Sequence, residues 1–361
     1  MTEPLRYYFV LPGLDRIVGG NNVLLWLAET LRVEGYTTAA LYPYDRYRYP
    51  FEEYRGETVY HPGLNRMMNP NLRQRVWLWH KLRKFCNGPP SSVFNATPND
   101  VFVLPEFIYP LCMRGLGTAN YVLVAQDVFG FTRAFVKDIE SGTPRYPSLN
   151  AILTTSAASN EATSMFLERH CHRLQLPVAS EKLRYKAEKK LQIAYMPRKR
   201  KEEAGLVVAA LRTRFGLKDI PIISIQGVSN DERNRIMSES LIFLSFSEQE
   251  GFGLPPAEAM ATGCIVIGYT GVGGNEYFST ETGFPIEDND ILTFVQTVEQ
   301  VVSQFRTSPQ SLTRIRRHAA NKIAKEYGEA NARSIALAVW KQIDEEIKSC
   351  RTARASTVFE S

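Results

Sequence analysis

The sequence predicts an α/β protein with two doubly wound, Rossmann-like domains, and three observations carry that prediction. Its 361 residues exceed the ~150 that suit one domain and fit two. Short apolar runs alternate with longer amphipathic stretches, as they do where helices cover a parallel sheet. The runs are continuous rather than alternating, as strands buried on both faces require.

The first strand is expected over residues 7–12, YYFVLP. Gly19 and Gly20 follow it and lead into an amphipathic helix over residues 22–34. Further buried strands are expected at 37–44, 57–61, 100–106, 120–127 and 151–156. Residues 177–190 are polar and lysine-rich with no apolar run, so they read as a surface linker. The first domain is therefore expected over 1–185. A second set of strands begins at 191–197 and continues at 220–227, 241–247 and 264–270. Helical patterns separate them: KEEAGLVVAALRTRFG, DERNRIMSES and PPAEAMATG. Helical period then runs from 290 to 348, and the tail from 350 is expected to fray. This places a second domain over 190–330, followed by a last helical segment over 331–361.

Composition narrows the class. A hydrophobic fraction of 44% with 22% charged residues is that of a soluble globular protein. The 23 glycines and 20 prolines have no period, which excludes a collagen-like chain. The net charge of +5 is mild but uneven along the chain. Residues 1–190 hold 23 basic and 17 acidic residues, against 20 and 21 in the remainder. The first half is thus expected to face an anionic partner such as a membrane surface, a polyanion or a charged acceptor. The five cysteines are scattered and form no C-x-x-C pair, so a reducing cytoplasm is expected rather than a disulfide framework. Neither a secretory leader nor a transmembrane helix is expected.

The most informative segment is residues 247–263, SEQEGFGLPPAEAMATG. A strand is expected to end at Ser247. Glu250-Gly251-Phe252-Gly253-Leu254 forms a turn, and Pro255-Pro256 opens a helix, where proline suits the first turn. Glycines there let a ligand approach the backbone. Free amides and the helix dipole offer a seat to phosphate or sugar oxygens. Glu250 is expected on the loop and Glu258 in the first helical turn, both facing one crevice at the carboxyl edge of the sheet. Carboxylates suit hydroxyl-rich ligands because their oxygens accept strong hydrogen bonds. Taken singly, each feature has a plainer reading: a dipole partner for Glu258 and a tight turn for the glycines.

At this string the chain resembles the GT-B-fold retaining glycosyltransferases of family 4 type, the glycosyl transferases group 1. Their signature is similar to S-x-x-E-G-F-G-L-P-x-x-E-A-M-A-x-G, with the E-x7-E pair on Glu250 and Glu258. Gly271–Phe278, GVGGNEYF, is similar to the family's G-G-x-x-E turn, with Glu276 as its acid. The resemblance is strong over about residues 190–290. It implies two Rossmann-like domains around an interdomain cleft, with the donor held by the second and the acceptor by the first. The last helix is expected to cross back to the first domain. By the resemblance, Glu258 holds the nucleotide ribose and Glu250 the donor sugar. The amides of Gly251, Phe252, Gly253 and Leu254 meet the sugar and diphosphate, and Gly227 and Val228 lie beside the base.

Cations for the diphosphate are expected among Arg198, Lys199, Arg200 and Lys201. The family's intervening glycine is missing there, so which side chains point inward stays open. Gly19 and Gly20 resemble the family's N-terminal glycine loop, which approaches the donor phosphate. Asp127 ends a strand where many relatives carry a histidine, so it is a candidate for a sugar or acceptor hydroxyl, or a cap of the next turn. Asp288-Asn289-Asp290 fits a metal-binding D-x-D pattern, but Asp290 reads better as a helix cap. His170-Cys171-His172 offers adjacent side chains that diverge on a helix. No metal and no cofactor are therefore expected. Residues 72–85, LRQRVWLWHKLRKF, form either an acceptor- or membrane-facing surface or a core stripe with snorkelling cations.

The expected activity is transfer of a hexose from a nucleotide diphosphate sugar to a glycan or lipid-linked acceptor, with retention, in the cytoplasm or peripherally at its membrane. UDP-glucose is favoured as donor and a dTDP-sugar competes. Glu250 and Asp127 are the catalytic candidates, and nucleic acid is not expected as a partner. Two alternatives are a nucleotide-sugar epimerase of the same fold and a catalytically silent sugar-binding or scaffold protein. An NAD-dependent oxidoreductase fits less well, because the full glycine fingerprint is absent.

Overall fold

A computed structural model describes residues 4–12, 19–43, 49, 51, 53–61, 96–108, 120–140, 149–197 and 199–359. The basic and aromatic stretch at 72–85 and Arg198 lie outside the described residues. The chain divides into two compact units. The first holds residues 1–154, 160–174 and 336–361, and the second holds 155–159 and 175–335. Residues 175–189 thus belong with the second unit, and the last helix from residue 336 onward belongs with the first.

The first unit is a parallel sheet of seven strands: β1 (Arg6–Val10), β2 (Thr37–Tyr42), β3 (Glu57–Tyr60), β4 (Asp100–Pro105), β5 (Asn120–Ala125), β6 (Leu149–Thr154) and β7 (His172–Arg173). Their order is β3-β2-β1-β4-β5-β6-β7. Phe9 in the middle of β1 lies level with Ala40 and Val103 on its neighbours. The runs that read as continuous apolar strands are buried almost throughout. Helices α1 (Gly19–Val33), α2 (Val128–Glu140) and α3 (Ala157–Leu167) alternate with them.

The second unit is a five-stranded parallel sheet: β8 (Lys190–Tyr195), β9 (Ile222–Ser224), β10 (Ser240–Phe246), β11 (Ile265–Tyr269) and β12 (Phe284–Pro285), in the order β12-β11-β10-β8-β9. Its helices are α4 (Lys201–Thr213), α5 (Asn230–Glu239), α6 (Leu254–Thr262), α7 (Ile291–Thr307) and α8 (Thr313–Glu326). The ring of Phe246 stacks on Phe294 of α7 with centroids 5.2 Å apart, closing the core over the end of β10. In each sheet the chain reverses its direction of strand addition once, between β1 and β4 and between β8 and β10. Such switch points open a crevice at the carboxyl edge.

Helix α9 (Glu329–Phe359) carries a buried stripe of Ala336, Trp340, Ile343 and Ile347 that packs in the first unit's core. Trp340 is fully buried. It meets Tyr7 edge-on at 5.0 Å and stacks against Phe9 at 5.9 Å. The Tyr7 hydroxyl donates to Asp344 Oδ1 at 2.5 Å, whereas the buried Trp340 Nε1 makes no hydrogen bond.

Three expectations change. The helical region from 290 is three helices, broken at Ser308-Pro309 and Tyr327-Gly328. The tail expected to fray continues as helix to Phe359, helped by good helix formers such as Arg351, Ala353, Arg354 and Ala355. The two-residue strands β7 and β12 are too short for any apolar run to announce them.

Candidate active site

The polar centre of the second unit forms where β10 ends. Ser245 Oγ donates to the Tyr269 carbonyl at 2.6 Å and so ties the ends of β10 and β11 together. Beyond them the Glu250 amide donates to the Gly271 carbonyl at 2.9 Å, and the Gly273 amide to the Glu250 carbonyl at 3.1 Å. This short parallel bridge presses two glycine turns against each other. A Cβ on Gly273 would stand 2.1 Å from the Gly251 carbonyl oxygen, so only glycine allows the approach. Gly253 adopts φ +84° and forms the N-cap of α6, with no side chain capping that helix end. Its first turn leaves the Leu254 amide without an internal partner, since Pro255 and Pro256 carry no N–H. Tyr277 fixes the turn from below, donating to the Gly253 carbonyl at 2.5 Å and reaching the Phe252 carbonyl at 3.2 Å. Burial pushes the Tyr277 hydroxyl well above its ordinary pKa, and the nearby Glu250 charge adds to this. It therefore stays a donor.

Of the predicted donor residues, the structure brings Lys199, Glu250 and the 251–254 turn together. Lys199 Nζ lies 3.2 Å from Glu250 Oε1 and donates to the carbonyls of Glu248 and Gln249 at 2.7 and 2.9 Å. Lys199 and Glu250 line one small cleft with Met196, Ser245, Ser247 and Pro255. The Phe252 ring points away from it, packed at 5.0 Å from both Tyr277 and Tyr327. Leu254 is the first residue of α6.

The other predicted donor residues lie apart from this group. Arg200 bridges Glu203 and Asp288 rather than joining Lys199, and Lys201 is exposed at the start of α4. Glu258 is in the second turn of α6, not the first, because the helix already begins at Leu254. It is nearly buried, with Arg233 Nη2 of α5 at 3.6 Å from Oε1. Gly227, with φ +70°, and the exposed Val228 precede the Ser229 cap of α5. The loop at 227–229 and the Arg233–Glu258 pair thus share one side of the unit through α5. Arg233 was missed in the sequence, because a helical pattern shows a face but not which long side chain crosses to a neighbouring helix.

In the first unit, Gly19 and Gly20 lie in the first turn of α1 rather than in a loop before it. The Gln126 amide Nε2 donates to the Gly20 carbonyl at 3.3 Å. A Cβ on Gly20 would stand 2.9 Å from Gln126 Oε1. Asp127 is a helix cap: Oδ1 accepts from the Phe129 amide at 3.0 Å and Oδ2 from the Gly130 amide at 3.1 Å. Each carboxylate oxygen accepts one α2 amide, which is the capping alternative the sequence offered. Beneath it sits Glu106, which sequence reasoning overlooked. Glu106 is buried, and its Oε2 accepts from the Gln126 amide at 3.1 Å. Desolvation pushes its carboxyl up to about 8. The only sequence signal was a carboxylate closing the apolar run DVFVLPE.

The remaining candidates resolve into structural roles. Asp290 Oδ1 caps α7 by accepting from the Thr293 amide at 3.0 Å, while Asp288 turns to Arg200 at 2.9 Å. His172 pairs with Glu346 of α9, Nε2 to Oε1 3.2 Å, and His170 meets its ring edge-on at 4.8 Å. Among the described residues, no group of three or more His, Cys, Asp or Glu is placed to hold a metal ion. Among them, no helix is long and apolar enough to cross a membrane. Glu276 is a tie within the second unit: Oε2 accepts from the Ala157 amide at 2.7 Å, and Oε1 from the Tyr327 hydroxyl at 2.6 Å.

The second unit is thus a doubly wound α/β domain with its cation, carboxylate and uncapped helix gathered at the carboxyl edge of the sheet. Residues 220–322 of the second unit match the family model of the glycosyl transferases group 1, and the fold is the GT-B fold. An alpha-1,6-glucosyltransferase of Actinobacillus pleuropneumoniae is 36% identical over 119 residues, which cover 32% of this chain and 36% of the relative. The match therefore spans about a third of that relative's length. Among solved structures, S. aureus TarM in complex with fondaparinux, alpha-GlcNAc-glycerol and UDP has a TM-score of 0.65 at 10% identity, covering 94% of this chain and all of that one. HepE of Anabaena in complex with UDP and glucose has a TM-score of 0.64 at 13% identity, covering 96% of this chain and all of that one.

Proposed function

We propose that the protein is a glycosyltransferase that moves a hexose from a nucleotide diphosphate sugar to a glycan or lipid-linked acceptor. The observation that carries this reading is the Lys199–Glu250 pair at 3.2 Å beside the uncapped start of α6, in the unit that matches the glycosyl transferases group 1 model. Lys199 and the backbone amides of Gly251, Phe252, Gly253 and Leu254 suit a departing diphosphate, whose charge grows in the transition state. Glu250 suits the hydroxyls of the donor sugar and its developing positive charge. Glu258 suits the ribose, with Gly227 and Val228 beside the base. The turn 251–254 offers backbone donors that need no reorganisation at the moment of reaction. A leaving-group phosphate oxygen takes the acceptor proton in this reading, so no separate protein base is required and the configuration is retained. Lys199 and the amides meet the diphosphate charge, so the reading includes no metal.

UDP-glucose is the proposed donor. The glucosyltransferase relative and the UDP and glucose bound by HepE support that choice. The protein would work in the cytoplasm or peripherally at its membrane. A thermal-shift panel with UDP, dTDP, GDP and ADP tests the donor class. A ligand at ~100 times its Kd stabilises the fold by about 2.7 kcal/mol. A shift with UDP alone is expected, a shift with dTDP alone reassigns the base, and no shift with any of the four overturns the donor site. Release of a free epimer from UDP-N-acetylglucosamine without an acceptor would turn the reading to an epimerase.

A further inference from the structure

Arg200 stands among the cations that the sequence offers to the diphosphate, but its guanidinium is already occupied. Nη1 donates to Glu203 Oε2 at 3.0 Å, and Nη2 lies 2.9 Å from Asp288 Oδ2. The plane lies over the Tyr269 ring with Cζ 4.6 Å from its centre. Tyr269 in turn donates its hydroxyl to the other oxygen of Glu203. The Arg200 side chain is only 10% exposed. Nη1 also reaches Asn289 Oδ1 at 3.5 Å, and Nε is covered and makes no hydrogen bond. A phosphate oxygen reaches this cation only if two charge-assisted bonds and a stacked face are given up.

The knot joins three elements of the second unit around the residue that follows Lys199. Glu203 belongs to α4, Tyr269 ends β11, and Asp288 lies in the turn before α7. The Arg200 carbonyl accepts from the Ala204 amide at 2.9 Å and so begins α4. The next residue back is Lys199, whose Nζ reaches Glu248, Gln249 and Glu250. A lysine stem is long and flexible, so its aim depends on where its backbone is held.

We infer that Arg200 is a positioning residue: locked by Glu203, Asp288 and Tyr269, it fixes the start of α4 and thereby aims Lys199 at the Glu250 turn, without touching the diphosphate itself. The inference rests on the donor-site reading above. It gives the contiguous Arg-Lys-Arg-Lys run a division of labour, with Lys199 for the ligand and Arg200 for the scaffold.

A double-mutant cycle on UDP affinity, read by titration calorimetry, tests it. The variants are Lys199→Ala, Arg200→Lys, their double, and Asp288→Asn, each checked for a wild-type melt without ligand. Lys199→Ala is expected to weaken UDP about tenfold, as for loss of one charged hydrogen bond, and Arg200→Lys to weaken it severalfold. In the Lys199→Ala background, Arg200→Lys is expected to cost less than about twofold more, because there is no lysine left to aim. A general loosening of the domain would still add its cost in that background. Asp288→Asn is expected to weaken UDP in the same direction as Arg200→Lys. If Arg200 were a diphosphate ligand, freeing it from Asp288 would leave affinity unchanged or tighten it. Additive losses, or a tighter Asp288→Asn, overturn the positioning role while wild-type UDP binding leaves the donor site standing. A wild type that binds none of the nucleotide diphosphates rejects both.

Discussion

Glu106 shows how a single residue's surroundings set its chemistry. Its folded pKa of about 8 lies far above the ordinary carboxylate range because burial disfavours the charged form. The folded state therefore holds a proton that the unfolded state releases as pH rises through the ordinary value. Stability is full below that value and falls steadily until pH passes about 8. Glu106→Gln keeps the shape and the acceptor for the Gln126 amide but has nothing to ionise. Its melting temperature is expected to exceed the wild type's at pH 8 and to converge with it near pH 4. A gap that stays constant from pH 4 to 8 would show that Glu106 does not titrate as described. The glycines make a second test at this scale. Gly273→Ala sets a Cβ 2.1 Å from a backbone oxygen, whereas Gly253→Ala meets the tip of Tyr277 at 2.9 Å and a strained φ. Gly273→Ala is expected to lose more stability and more UDP affinity, since backbone cannot step aside and a side chain can. Equal losses in denaturant titrations would contradict the tight seat of the two turns. Glu250 and the turn beside it were legible in the sequence because the string is contiguous. Glu106, Arg233 and the Arg200–Asp288 pair were not, because each depends on residues distant in sequence that fold brings together.

Elements were legible in proportion to how much apolar period they carry. The long central strands announced themselves as unbroken runs. β9 is only three residues long, although Pro221 and Ile225 on either side of it still hydrogen-bond to β8. The region from 290 carried an unbroken helical period, which hid the breaks at Pro309 and Gly328. Helix α9 shows what the period cannot tell: which sheet the helix serves. Its buried stripe belongs to the first unit, and Trp340 is the side chain that seals it to β1. Trp340→Ala is expected to cost about 3–5 kcal/mol, a large part of the stability of a typical domain. Trp340→Phe keeps much of the contact and should cost far less. Urea titration followed by circular dichroism reads both, and a loss under 1 kcal/mol for Trp340→Ala would mean that α9 is not anchored through that ring.

At the scale of the whole molecule, the fold redistributes charge. Along the sequence, the first 190 residues hold all the positive excess. Counted over the compact units instead, the first carries 22 basic and 19 acidic residues and the second 21 and 19. The lysine-rich segment before β8 belongs to the second unit, and the acidic turns of α9 belong to the first. The unit-wide charge therefore gives the first unit no special attraction to an anionic surface. What survives is local: residues 72–85 hold five basic residues, Arg73, Arg75, Lys81, Arg83 and Lys84, and no acidic one. Near an anionic bilayer each basic residue contributes about 1 kcal/mol, and the attraction fades within a Debye length. If the protein docks on a membrane electrostatically, replacing these five by glutamine should abolish flotation with anionic vesicles at low salt. The same replacement should leave the UDP-induced thermal shift unchanged, because no residue of the proposed donor site lies in that stretch. Equal flotation of the wild type with neutral and anionic vesicles would remove the electrostatic basis for membrane contact. Undiminished binding by the five-fold variant would move that contact elsewhere on the chain.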